Sequence, residues 1–132
     1  MMKGRLNLKK AIHTNKAPQA IGPYSQAIDA GDFVFVSGQI PLDPETMEVV
    51  DGDIAKQTEQ VMNNLDAILK EAGLSFKNVV KFTIYITNME DFAVINEAYA
   101  KFLEEPYPAR ATVEVSKLPK GVGVEMDVIA KK

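Results

Sequence analysis

The chain has 132 residues, with 46% hydrophobic and 25% charged residues, which suits one globular domain with a real core. Its net charge of -3 excludes a protein that works by neutralising nucleic-acid phosphates. The absence of cysteine excludes disulfides, thiolate nucleophiles and thiolate metal sites. No apolar run approaches the ~18–20 residues of a membrane span, and the N-terminus lacks the apolar stretch of a signal peptide. A cytoplasmic protein is expected, with no nucleic-acid and no membrane partner.

Residues 1–8 read as a loose lead-in and residues 9–132 as the domain. A short first strand is expected at 9–14, followed by a loop rich in Pro, Gly, Asn and Gln over 15–24. Residues 25–30 and 33–37 flank Gly31-Asp32, the pattern of a hairpin. Residues 41–52 form a second loop. Asp53 is placed to cap a helix ending near Ala72, with apolar positions Ile54, Val61, Met62, Leu65, Ile68 and Leu69 on one stripe. Gly73 suits the left-handed position that ends it.

A strand follows at 79–87, in which Val80, Phe82, Ile84 and Ile86 alternate with Lys81, Thr83, Tyr85 and Thr87. A second helix is expected over 91–103 and stops before Pro106 and Pro108. The last strands, 109–116 and 122–130, are joined around Pro119-Lys120-Gly121. The order is β-β-β-α-β-α-β-β, an α+β fold with two helices on one face of a mixed sheet. The other face needs a cover, and the Tyr and Thr content of strand 79–87 suits a partner subunit.

The only histidine, His13, lies near a chain end on a strand, so triad chemistry has a poor foundation. No phosphate loop, dinucleotide fingerprint or calcium loop is present. No metal ligand set and no cofactor site is expected. The polar residues at unusual places are Tyr24, Ser37, Gly38, Asn96, Arg110 and Glu125. The last two strands are expected to pair antiparallel. Matching their apolar sides requires paired numbers to sum to an odd value, such as 113 with 126. Arg110, Thr112 and Glu114 then share a face with Glu125 and Asp127. With a tight turn Glu125 opposes Glu114, about 13 Å along the strand from Arg110 at ~3.4 Å per residue. A bulge or a neighbouring subunit is then needed to join the two. Two readings remain open: a surface ion pair, or an anion site in which Arg110 grips a carboxylate and Glu125 positions a water.

These residues carry a resemblance to the RidA/YjgF family of imine deaminases. The matching stretches are Ala20 through Ala27, Val36-Ser37-Gly38-Gln39-Ile40-Pro41, Phe92 through Asn96, Pro108-Ala109-Arg110, Leu118-Pro119-Lys120 and Val124-Glu125-Met126. The resemblance implies a chorismate-mutase-like fold, a homotrimer and clefts between subunits as sites. It implies hydrolysis of 2-iminopropanoate and 2-iminobutanoate to 2-oxo acids and ammonia, which protects pyridoxal-phosphate enzymes, with no metal or cofactor. Arg110 is then the carboxylate anchor and Glu125 the residue that polarises water. Tyr24, Ser37, Gly38 and Asn96 then surround the substrate. Thr112 stands where many members carry Cys, so a thiol role is impossible and only a backbone contact carries over. Two alternatives are a non-enzymatic regulatory trimer that binds a 2-oxo acid, and an RNA-directed translation inhibitor.

Overall fold

In the computed structural model, residues 8–132 are described; residues 1–7, most of the expected lead-in, lie outside them. Leu8 is exposed. The chain begins with strands β1 (Lys10–Ile12), β2 (Ala27–Asp29) and β3 (Phe33–Gln39). β2 and β3 form the expected hairpin: Asp29 pairs with Val34, and the Ala30 N–H donates to the Phe33 carbonyl across Gly31-Asp32. Gly31 has φ 99°, which only glycine adopts freely.

Helix α1 (Ile54–Glu71) is capped as expected, with the Asp53 carboxylate accepting from the Lys56 N–H at 3.0 Å. It ends at Ala72, and Gly73 at φ 78° takes the left-handed position. Val61, Met62, Leu65, Ile68 and Leu69 are buried against the sheet. Strand β4 (Val79–Ile86) follows. Helix α2 (Phe92–Ala100) is entered through a 3-10 turn at Met89–Asp91 and stops short of the expected Leu103, because the Phe102 and Leu103 N–H groups turn to the Tyr99 and Ala100 carbonyls three residues back. β5 (Ala109–Glu114) and β6 (Val124–Lys131) complete one six-stranded sheet in the order β1-β2-β3-β6-β4-β5.

This order corrects the expected pairing of the last two strands. β5 does not pair with β6; it adds parallel to β4 at the sheet edge, with Phe82 opposite Arg110 and Ile84 opposite Thr112. β6 lies antiparallel between β3 and β4. The cause is burial. Val124, Met126, Val128 and Ala130 are all fully buried, which a central strand under α1 provides. β5 is mostly exposed, as an edge strand can be. The β4–α2–β5 unit is a parallel crossover, which leaves β5 on the outer side of β4. Residues 115–123 pass over the end of β4 instead of forming a hairpin. The Val115 N–H donates to the Ile86 carbonyl, and the Thr87 N–H donates to the Gly123 carbonyl. β6 starts at Val124, later than expected, because Gly123 packs on α1: its N–H donates to Gln57 Oε1 at 2.9 Å.

Both helices cover one face of the sheet, through Val34, Val36, Phe82, Ile84, Ile86 and the apolar side of β6. The opposite face is open. It presents Phe33 (39% exposed), Phe35 (48%) and Val113 (43%) to solvent. No described helix is long and apolar enough to cross a membrane.

Because β6 anchors the core, Met126→Ala should lower unfolding stability by about 2–5 kcal/mol in urea denaturation. A loss below about 1 kcal/mol would contradict the central placement of β6.

Candidate functional site

The sequence-derived candidates fall into two groups on opposite sides of the sheet. The first is built on β5 and α2. Arg110 registers with Phe82, so its side chain leaves β5 on the helix-covered side. There Phe92, Asn96 and Tyr99 recur at i, i+4 and i+7 along α2. Arg110 Nη1 donates to Asn96 Oδ1. The guanidinium carbon lies 5.3 Å from the Phe92 ring centroid and 5.5 Å from that of Tyr99. Two aromatic faces and one amide therefore hold the plane of the fork. Burial raises the pKa of the Tyr99 hydroxyl, against the opposing charge and hydrogen bond of Arg110.

Among the described residues the ion pairs are Lys70–Asp66 and Lys132–Asp29, and neither includes Arg110. The cation is exposed and lines a cavity of about 480 Å³ with Asn96, Tyr99, Ala100, Tyr107 and Pro108. Its remaining N–H groups suit a planar carboxylate. Thr112, two residues along the same face, has a buried Oγ1 without a hydrogen-bond partner.

The second group surrounds Glu125. This residue lies opposite Tyr85 of β4, on the open face. β3 carries one extra residue here: Val36 pairs with Val128, but Gln39 pairs with Met126. The bulge contains Ser37 and Gly38 and turns Gly38 toward Glu125. A Cβ on Gly38 would lie 2.1 Å from Glu125 Oε2, so only glycine leaves room for the carboxylate. Ser37 Oγ donates to the Ser25 carbonyl at 2.6 Å, and the Ser37 N–H donates to the Gln26 carbonyl. These bonds fix the loop that bears Tyr24, which is 53% exposed. Tyr24 and Gly38 line a second cavity, of about 270 Å³.

Burial holds the Glu125 carboxyl above its ordinary pKa, and the negative charge of Asp127 adds to the effect. Asp127 is itself raised by burial, opposed by hydrogen bonds from Tyr85 and Thr83 and by the charge of Lys81. The Tyr85 hydroxyl donates to Asp127 Oδ2 at 3.1 Å.

The expectation that Arg110 and Glu125 share one surface is therefore wrong for a single chain. It rested on a β5–β6 pairing that does not form. In the observed register Arg110 faces the helices and Glu125 faces away from them. His13 lies outside both groups, with Nε2 3.0 Å from Gln19 Oε1. No group of three or more His, Cys, Asp or Glu among the described residues could hold a metal ion.

Sequence reasoning missed three contributors. Phe92 and Tyr99 fall on the apolar face of α2, where periodicity alone reads as packing, although a tyrosine on an apolar face signals a polar partner. Gln26 is 2% exposed and acts as a staple: its Oε1 accepts from the Thr14 N–H, and its amide donates to the Thr14 and Pro18 carbonyls. A glutamine at the start of an apolar strand was the available signal.

A family model described as Endoribonuclease L-PSP matches residues 14–132. A RutC family protein of Pyrococcus abyssi is 56% identical over 124 residues, covering 94% of this chain and 98% of the relative. The crystal structure of RidA from a Psychrobacter species superposes with a TM-score of 0.90 at 50% identity, covering 93% of this chain and 99% of that one. Escherichia coli TdcF, solved with bound serine, gives a TM-score of 0.89 at 45% identity, covering 93% and 98%.

Gly38→Ala should drive the Glu125 carboxylate from its place and lower stability by about 1–3 kcal/mol. Adding Glu125→Ala should recover at least half of that loss in urea denaturation. Purely additive losses would show that the two residues do not compete for one space.

Proposed function

Because the chain belongs to the RutC/RidA/YjgF family, we propose that it hydrolyses small 2-imino acids to 2-oxo acids and ammonia. We propose that it does so in a homotrimer whose sites lie between chains, in the cytoplasm, where it protects pyridoxal-phosphate enzymes. The observation that carries this reading is the pair of half-sites. A braced, unpaired cation stands on one side of the sheet and a half-buried carboxylate of raised pKa on the other. One chain does not join them, and the reading assigns that task to a neighbour docked on the open face. Phe33, Phe35 and Val113 give that face apolar material for such contact. The relative solved with serine bound supports a ligand carrying an amino-acid-like carboxylate.

The chemistry needs no more than these groups. Arg110 takes the substrate carboxylate through its free N–H donors, which also neutralises the cation near Glu125. Asn96 keeps the fork from swinging. The protonated imine carbon is electrophilic. Glu125 accepts a proton from water as the oxygen attacks that carbon, forming the tetrahedral carbinolamine. Glu125 then passes that proton to nitrogen, the C–N bond breaks, and ammonia leaves as the hydroxyl returns its proton to Glu125 and the carbonyl forms. A carboxyl with raised pKa suits both transfers. Thr112 offers backbone groups beside the anchor and no nucleophile is used.

The test is a coupled assay with a threonine dehydratase, with residual imine trapped by semicarbazide. Arg110→Ala should lower kcat/KM about 100-fold, near the loss of a charged hydrogen-bonded anchor of ~3 kcal/mol. An unchanged rate would remove Arg110 from the site. Glu125→Gln should lower turnover roughly 100-fold or more.

The pH dependence has two parts. As a base Glu125 must be ionised, so activity should fall as pH drops through its raised pKa, above the ordinary glutamate range. Stability runs the other way. The folded pKa exceeds the unfolded one, so the contribution of protonated Glu125 is complete below the unfolded pKa and is lost as pH rises through the folded pKa. Glu125→Gln should therefore keep or raise Tm at neutral pH while activity collapses. A fall in both would mean that Glu125 serves the fold.

A further inference from the structure

Among the described residues, two that are not glycine have positive φ: Met47 at 62° and Lys120 at 58°. Such a backbone is uncommon for residues with a Cβ and costs conformational energy. The two lie in different loops, yet both line the same cavity of about 270 Å³, together with Tyr24 and Gly38. Strained residues gather where surrounding structure fixes them for a purpose.

Met47 is the more informative of the two. Its loop is fully specified without its side chain. The Met47 N–H donates to the Asp43 carbonyl at 2.8 Å, the Asp43 N–H donates to the Glu48 carbonyl at 2.9 Å, and Leu42 bridges Val49. Glycine would take the same φ without cost. A half-buried thioether chain is held there instead, facing the cavity with Ile21, Ile40 and Leu42. The loop is also tied to the core: Asn64 donates to the Ile40 and Leu42 carbonyls at 3.3 and 3.0 Å. The apolar wall is therefore fixed in place relative to Gly38. Gly38 in turn touches Glu125, so the cavity begins one residue from the carboxylate proposed to activate water.

We infer that this cavity receives the alkyl side chain of the 2-imino acid and that Met47 is the residue limiting the chain length it accepts. The inference rests on the deaminase reading. Lys120, held between Pro119 and Gly121, lines the same cavity from the 118–122 turn.

The test is calorimetry of the intact protein with pyruvate, 2-oxobutanoate, 2-oxopentanoate and 2-oxohexanoate, alongside thermal unfolding. In the wild type, affinity should stop rising once the chain meets Met47. In Met47→Gly each further methylene should strengthen binding by up to ~4-fold, the value of burying one CH₂. Its Tm should be no lower than that of the wild type, because the backbone strain is relieved. Met47→Leu, which keeps the volume, should follow the wild-type series. Parallel affinity series in wild type and Met47→Gly would overturn the inference and leave the deaminase reading intact. A clearly lower Tm for Met47→Gly would also overturn it, by making Met47 a packing residue. Met47-dependent oxo-acid binding without imine turnover would uphold the subsite and sink the deaminase reading alone.

Discussion

Everything in this molecule depends on where β6 sits. Its alternation of Val124, Met126, Val128 and Ala130 with Glu125, Asp127 and Ile129 has a period of two, and the strand lies between β3 and β4. Because it is central, one side of its pleat must meet α1 and be apolar. The other side is then fixed as well. Glu125 is forced onto the open face, beside Tyr85 on one neighbouring strand and Gly38 on the other. The carboxylate is half-buried by its neighbours in the sheet, and this burial raises its pKa.

The same arrangement separates the two proposed halves of the site. β5 follows α2 and must add outside β4, so Arg110 leans on the helix that delivered it. The helix braces the cation, and the sheet lies between the cation and the carboxylate. A function that needs both groups at one substrate thus requires a second chain. Under the proposed function, assembly and chemistry are the same requirement. The apolar side chains left on the open face fit that demand, since they have no cover within the chain.

Much of this was legible in the chain itself. The cap at Asp53, the left-handed Gly73 and the Gly31-Asp32 hairpin are local signals, and each is found where expected. The short stretches around Tyr24, Ser37-Gly38 and Arg110 marked the candidate residues, because polar groups interrupt apolar periodicity there. The support around them was harder to see. Phe92 and Tyr99 fit a packing stripe equally well, and the reason for Gly38 is the approach of a side chain almost ninety residues away in sequence.

What the sequence determined by itself was therefore the set of elements, their order and the residues able to do chemistry. These follow from hydrogen bonds and periodicities that span only a few residues. Only the tertiary structure decided which strands are neighbours. An alternating strand has the same two faces whichever partner it takes, so β5 and β6 could be read as a hairpin with equal local merit. The choice was made by long-range burial: β6 has enough apolar surface to fill the centre and β5 does not. That decision turned Arg110 and Glu125 from companions on one surface into groups on opposite sides of the sheet.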